Sequence, residues 1–333
     1  MSVKIVHAAD FHLDSAFGAL SAEQARQRRR ESRELLTRLS NYVNQNGVDL
    51  VLLAGDLFDS DTTYRETLEA LSEALGAMQA RVFIAPGNHD WYGPGSPYLT
   101  VQWPDASRPA KAGQFFMLRA WAANETPILS RPISVHKWEP ETQTIEFLYQ
   151  VIGEGTHKIA QLKTGDTFQL TGPMGNGFDI PALTEKYHKI AVVGGGIGTA
   201  PMYQVTRELA AAGIKPDVFF GFRDTPYCME EYRSIANVVK VSTDTGAVGF
   251  HGFVTQLYDP ADYDAVLICG PTVMMKNAAR ICAEKGTPCF VSLEKKMACG
   301  IGACLGCTCE TKGGEGKSVC KNGPVFDATE VFF

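Results

Sequence analysis

Four cysteines, Cys299, Cys304, Cys307 and Cys320, stand at the spacing C-x4-C-x2-C-x12-C, with Gly300, Gly302 and Gly306 between the first three. Thiolates at this spacing suit a plant-type two-iron two-sulfur (2Fe-2S) cluster, in which one tight loop delivers three of the four ligands. Glycines let such a loop wrap without side-chain clashes and leave backbone N–H groups free to face the sulfides. A structural zinc is the metal-site alternative, although zinc sites usually pair their cysteines as two C-x2-4-C knuckles. Cys309 is a fifth thiol beside the ligands and is read as a non-ligand, with an exchange of roles with Cys307 left open. Cys228, Cys282 and Cys289 read as small packing residues.

A second constellation is made of glycine turns. Gly194-Gly195-Gly196-Ile197-Gly198-Thr199 follows an apolar strand-like run and opens a helical pattern. In that context backbone N–H groups approach a pyrophosphate, and the helix N-terminus adds partial positive charge. Cys269-Gly270-Pro271 follows a later strand, at the edge where such sheets bind ligands. Upstream, Arg131-Pro132-Ile133-Ser134 offers a cation for a phosphate and a hydroxyl for a flavin edge. Gly153-Glu154-Gly155-Thr156 forms another phosphate-sized turn, and Gly172-Pro173-Met174-Gly175-Asn176-Gly177-Phe178 a third. The plain alternative for each is a tight turn with packing glycines.

The front of the chain carries a different chemistry. Asp10-Phe11-His12, Gly55-Asp56-Leu57-Phe58-Asp59 and Gly87-Asn88-His89-Asp90 each follow a strand-like run, which gathers carboxylate, imidazole and amide at one sheet edge. Asp10 and His12 suit one divalent ion such as manganese, Asp56 a bridge and Asn88 a second ion, while His89 could protonate a leaving oxygen.

The elements that must position these groups are predicted as α/β and β. Apolar runs at Val3–His7, Leu50–Ala54 and Val82–Ala85 alternate with helical patterns within Glu23–Asn46 and Tyr64–Ala80, which predicts an open α/β layer. Phe115–Leu118, Ile145–Val151 and Thr167–Leu170, separated by Gly and Pro, predict a small antiparallel barrel. Ile190–Val193, Val218–Phe220, Val238–Val241 and Ala265–Ile268, with helices from about Thr199 and Thr272, predict a doubly wound unit. The expected division is therefore 1–104, an antiparallel barrel over 110–185, an α/β domain over 186–288 and a cysteine-bearing module over 289–333, with the junction in the turn-rich stretch from Trp103 to Gly113.

Composition narrows the partners. The 333 residues carry a net charge of -6, so no basic field exists to hold a nucleic-acid backbone. Arg26, Arg28, Arg29, Arg30 and Arg33 read as the solvated face of a helix. The N-terminus lacks the pattern of a signal peptide, and no apolar stretch approaches the roughly 20 residues of a membrane span. A cytoplasmic location is expected, where crowded cysteines favour metal over disulfides.

Two resemblances follow from these motifs. Gly113-Gln114-Phe115-Phe116-Met117-Leu118-Arg119, Arg131 to Val135, the triple-glycine loop, Cys269-Gly270-Pro271 and Met297 to Cys304 together resemble the electron-transfer subunits of dihydroorotate dehydrogenase B, which are ferredoxin-NADP reductase-like flavoproteins. The resemblance implies FAD held by Arg131, Pro132, Ile133, Ser134, Leu148, Tyr149, Gln150, Gly155 and Thr156, and NAD on Gly194, Gly195, Gly196, Gly198 and Thr199 with Cys269, Gly270 and Pro271 near the nicotinamide. It also implies a 2Fe-2S cluster on the four cysteines and a catalytic FMN subunit as partner in a heterotetramer. Electrons would pass from dihydroorotate through cluster and FAD to NAD, in UMP synthesis. Flavin subunits of NADPH-dependent ferredoxin reductases and sulfide dehydrogenases rank second, because they tend to lack a cysteine at the Cys299 position. Arg223 raises NADP as the alternative nucleotide. The chain departs from the family in lacking the early barrel strands, which leaves an open edge. The front motifs resemble calcineurin-like metallophosphoesterases of the DNA-repair exonuclease branch. The later histidines, His136, His157, His188 and His251, do not stand in the Gly-His-x-His context that completes the metal site in that family.

Overall fold

A computed structural model of the chain describes residues 3–9, 11–14, 20–54, 57, 64–85, 97–105 and 107–332. It divides into two units, Met1–Gly95 and Ser96–Phe333.

In the first unit three short apolar runs, Ile5–Ala9 (β1), Leu50–Ala54 (β2) and Arg81–Ala85 (β3), pair in parallel in the order β1-β2-β3. Parallel neighbours require crossovers, which the helices Ala22–Gln45 (α1) and Arg65–Ala77 (α2) supply. A capping box starts α1: the Gln24 N–H donates to Ser21 Oγ at 3.3 Å and the Ser21 N–H to Gln24 Oε1 at 3.1 Å. Leu36 and Val43 of α1 and Leu71 of α2 are buried, as are Val51 and Leu53 of the sheet.

The second unit begins with antiparallel sheets. Tyr98–Gln102 (β4), Thr144–Leu148 (β8) and Lys137–Glu139 (β7) form one, in the order β4-β8-β7. Arg131–Ser134 (β6), Phe115–Arg119 (β5) and Gln169–Met174 (β9) form the other, in the order β6-β5-β9. Phe116, Leu118, Val135, Trp138, Ile145, Phe147, Tyr149 and Ile159 pack as one core, Ile159 coming from the short helix Glu154–Ala160 (α3). The expected lack of any early strand is corrected by β4. Its alternation turns Leu99 and Val101 to the core, and Tyr98 stands opposite Leu148 in the antiparallel register. The unit boundary accordingly falls at Gly95/Ser96, ahead of the expected junction at 104–110.

After Ile180–Lys186 (α4), the chain lays down Ile190–Gly195 (β10), Asp217–Phe222 (β11), Val238–Thr243 (β12), Phe250–His251 (β13), Ala265–Cys269 (β14) and Cys289–Ser292 (β15). These six strands are parallel, linked by Thr199–Ala211 (α5), Met229–Arg233 (α6) and Thr272–Lys285 (α7) among others. All residues of β10 and β14 are buried, as expected for central strands covered on both faces. The hairpin Thr308–Glu310 (β16) and Gly316–Ser318 (β17) and the turn of helix Val319–Asn322 (α8) follow, and Val325–Asp327 (β18) then closes the seven-stranded sheet antiparallel to β15. The sheet order is β13-β12-β11-β10-β14-β15-β18. The expected domain limit at 288/289 therefore cuts through one sheet: Cys289–Ser292 and Val325–Asp327 are strands of the α/β domain, and the cysteine loop is carried between them. No helix among the described residues is long and apolar enough to cross a membrane.

Candidate functional site

The strand order reverses direction around β10, with β11 on one side and β14 on the other, and a cleft is expected at the carboxyl ends of such strands. There β10 runs into a single 3-10 turn, Gly196–Gly198, that opens α5. A side chain at Gly198 would put Cβ 2.5 Å from Gly270 Cα and 2.6 Å from the Cys269 carbonyl oxygen. One at Gly195 would meet Pro271 Cδ at 2.9 Å. The two predicted nucleotide motifs, Gly194–Thr199 and Cys269-Gly270-Pro271, are thus brought against each other, backbone to backbone. Thr199 turns its hydroxyl inward to the Gly196 carbonyl at 2.9 Å. The Cys269 thiol is buried, and burial holds it well above the ordinary thiol range. The residue of that tripeptide in closest approach to the glycine loop is therefore Gly270. Arg223 lies at the end of β11 with its side chain 90% exposed and Asp224 4.0 Å away.

The predicted flavin residues gather on the β-domain. Pro132, Ile133 and Ser134 pair with Met117, Phe116 and Phe115 in the β5–β6 register. The Arg131 guanidinium lies over the Trp121 ring at 5.7 Å. Gly155 lets it lie there, because a Cβ at 155 would fall 2.6 Å from Arg131 Nε. Arg131 and Gly155, 24 positions apart in sequence, therefore form one cradle, and the donor set fits the phosphates of a dinucleotide. Leu148 ends β8 and is buried; Tyr149 and Gln150, expected as strand residues, follow the strand, Tyr149 buried and Gln150 exposed. The Thr156 hydroxyl accepts the Ile152 and Gly153 N–H groups at 3.0 and 3.1 Å and donates to the Gly153 carbonyl at 2.9 Å, so it shapes its own turn.

The four cysteines come as two pairs. Backbone donors tie Cys304 to Cys299 and Cys320 to Cys307. Among the described residues no three His, Cys, Asp or Glu groups are gathered to hold a single metal ion. Two pairs are what two irons ask of four thiolates. Gly300 and Gly302 take φ of +72° and +81°, which turns N–H groups toward the sulfurs. The Gly302 N–H points at Cys320 Sγ (3.1 Å), the Cys304 N–H at Cys299 Sγ (3.4 Å) and the Cys320 N–H at Cys307 Sγ (3.4 Å). The backbone donors of Cys304 and Ile301, with the Cys304 thiol, bring the Cys299 thiol down to about 6. Burial, and then the neighbouring Cys307, push Cys320 up to about 12, so this thiol yields its proton to a metal rather than to water. Cys309 turns away and donates to the Lys317 carbonyl at 3.4 Å.

The cysteine loop also rests on the β-domain. A side chain at Gly300 would strike Met174 Sδ at 2.6 Å and Met117 Cγ at 3.1 Å, and Asn176 Nδ2 donates to the Lys321 and Asn322 carbonyls at 3.1 and 3.3 Å. Met117 and Trp121 were absent from the sequence-derived site; their aromatic and thioether types gave no signal beyond core packing. The Gly172–Phe178 turn was singled out by its glycines, and it is the element that fastens the cysteine segment.

Of the front residues, Asp10, Asp56, Asn88 and His89 lie outside the described residues. His12 follows β1 with φ +45°. Asp14 beside it is buried and accepts the Thr67 hydroxyl at 2.6 Å and the Tyr64 N–H at 2.8 Å.

Comparison with known proteins agrees with this geometry. The iron-sulfur cluster binding domain of dihydroorotate dehydrogenase B matches residues 294–332, and the calcineurin-like phosphoesterase family matches residues 3–169. The second match runs past residue 95 into the antiparallel sheets of the second unit. A dihydroorotate dehydrogenase B (NAD(+)) electron transfer subunit of Clostridium acetobutylicum is 43% identical over 66% of this chain and 86% of its own length. Its namesake in Clostridium perfringens is 43% identical over 67% and 87%. A solved NADH-dependent reduced ferredoxin-NADP oxidoreductase is similar with TM-score 0.65 and 30% identity, over 73% of this chain and 87% of its own. On the extent of that identity, the chain belongs to the family of dihydroorotate dehydrogenase B electron transfer subunits.

Proposed function

We propose that the chain carries electrons from a dihydroorotate-oxidising FMN subunit, through a 2Fe-2S cluster and FAD, to NAD in UMP synthesis. The observation that carries this reading is the N–H to sulfur pairing of Cys304 with Cys299 and of Cys320 with Cys307 on a loop packed against Met117 and Met174 of the β-domain. A bound flavin is the converter such a chain needs, because a cluster passes electrons singly and NAD takes a pair. Arg131 and Gly155 hold the flavin phosphates, with Pro132, Ile133, Ser134, Leu148, Tyr149, Gln150 and Thr156 shaping the pocket around them. Gly194, Gly195, Gly196, Gly198 and Thr199 receive the nicotinamide dinucleotide, and Gly270 and Pro271, with Cys269 behind them, wall its reactive end. The partner is the catalytic subunit, in a heterotetramer, and the compartment is the cytoplasm.

Iron, sulfide and FAD content per chain, measured after anaerobic co-purification with the catalytic subunit, tests the reading. Stoichiometric iron and flavin with dihydroorotate-dependent NADH formation are expected; a colourless chain would sink it. A second reading concerns the front unit alone. Its match to calcineurin-like phosphoesterases supports a divalent-metal site at Asp10, His12, Asp56, Asn88 and His89. Manganese-stimulated hydrolysis of a phosphodiester, abolished in His89→Ala, is the expected result, and no turnover with manganese would remove the reading.

A further inference from the structure

Helix α5 meets the β-domain with polar side chains at helical spacing: Tyr203, Gln204, Arg207 and Glu208. Gln204 Oε1 accepts the Trp138 N–H at 2.9 Å, Arg207 donates to the Trp138 carbonyl at 3.0 Å and pairs with Glu139 at 3.1 Å, and Glu208 accepts the Ala112 N–H at 2.9 Å. At the head of this stripe, where α5 leaves the glycine loop, lies His136, fully buried in the corner between β6 and β7. Its Nδ1 is 2.7 Å from the Ala200 carbonyl oxygen and its Nε2 3.2 Å from a Glu231 carboxylate oxygen. The ring stacks on Tyr203 at 4.8 Å and takes the edge of Tyr98 at 5.3 Å. The Tyr98 hydroxyl donates to the other Glu231 oxygen at 2.8 Å, and the Tyr232 hydroxyl donates to the Thr199 carbonyl at 2.6 Å. The first two carbonyls of α5 are thus each gripped from outside the helix.

A carbonyl only accepts, so Nδ1 bears a hydrogen. Burial opposes charge on Glu231, but the hydrogen bonds from His136 and Tyr98 outweigh it and hold the carboxyl below its ordinary value. The ring thus bridges the Ala200 carbonyl and the Glu231 carboxylate.

We propose that His136 is a positioning residue for hydride transfer, which fixes the first turn of α5, and with it the loop Gly194–Thr199, against the flavin-bearing β-domain. The inference rests on the functional reading above. The groups facing the ring are Tyr98 from β4, Tyr203 from α5 and Glu231 from α6; Cys228 stands 2.8 Å from the Tyr98 hydroxyl and Tyr232 packs on Tyr203 at 5.3 Å. Burial pushes the Cys228 thiol up to about 12 and raises the hydroxyls of Tyr98, Tyr203 and Tyr232. The two contacts at Nδ1 and Nε2 fix the orientation of the ring.

The test uses the full chain co-purified with its catalytic subunit, with FAD and iron measured per chain and NADH oxidation followed with ferricyanide as acceptor. His136→Asn keeps a donor for the Ala200 carbonyl and drops the Glu231 contact; kcat falls on the order of tenfold at unchanged FAD and iron. Glu231→Gln lets an amide donate to Nε2 and keeps the ring in place, so kcat and KM stay near the parent, whereas Glu231→Ala, which removes that partner, lowers kcat with KM for NADH little changed. Parent-like kcat in both His136→Asn and Glu231→Ala overturns the proposal. If His136→Asn fails to accumulate, the Glu231→Ala and Glu231→Gln pair decides alone, and parent-like kcat in Glu231→Ala overturns it. A parent chain without flavin, iron or NADH oxidation overturns the functional reading, and this inference with it.

Discussion

The cysteine loop and the dinucleotide loop are both built on glycine, and they use it for opposite ends. Around Gly198 the absent side chain admits the backbone of Gly270, so the nucleotide loop is completed by protein packing alone. Around Gly300 and Gly302 glycine supplies positive φ, which aims N–H groups at sulfurs, one of which, Cys320, is held protonated by burial until a metal displaces the proton. The first loop is preformed, while the second presents donors and awaits its ligand. A site of the first kind fails when volume is added, and one of the second kind fails when a ligand atom is removed.

Substitutions separate the two modes. The largest effect is expected from Cys307→Ser, which breaks one of the two thiol pairs: bound iron and the visible absorption of the cluster are lost, while FAD stays bound. Flavin loss in parallel would show that the two sites are not independent. Gly198→Ala forces the backbone at 269–270 to move and should cost about 1–3 kcal/mol of stability, as overpacking does, with weakened NADH binding and intact iron content. An unchanged melting temperature would break the contrast. Arg131→Ala removes a charged donor worth about 1.5–3 kcal/mol, so FAD affinity should drop roughly tenfold or more by titration, with NADH binding little altered. The smallest effect belongs to Gly306→Ala, whose Cβ would lie 3.6 Å from Cys304 Sγ, an ordinary contact. Stability should stay within about 0.5 kcal/mol and iron should be retained.

Much of the α/β sheet was legible in the sequence, as was the cysteine-bearing segment that the iron-sulfur domain match covers. Leu50–Ala54 is a strand at the predicted limits, and the strands begun at Ile190 and Ala265 run only slightly past theirs. Continuous apolar runs bounded by glycine leave little choice of period. Tyr98–Gln102 was not legible as a barrel strand, because five alternating residues beside a turn-rich stretch acquire meaning only from their partner β8. Arg131 and Gly155 were assigned to one flavin through the resemblance, but their direct contact was not legible, since it is made by the β6 and α3 placements and not by spacing. His136 was weighed only as a missing metal ligand of the front unit. Its role depends on Ala200 and Glu231, which lie 64 and 95 positions away, and no local pattern reports such a contact.

The last strand of the sheet comes from beyond the cysteines: β18 zips onto β15 after the chain has looped through the cluster ligands. The iron site is therefore an inserted excursion, tethered at both ends, and not a detachable tail. Stopping the chain before residue 325 would strip an edge from the nucleotide-binding sheet, and grafting a foreign ferredoxin in place of the loop would have to satisfy that same returning strand. Inheritance of the two cofactor sites is coupled by topology, so each can drift only as far as the shared sheet allows.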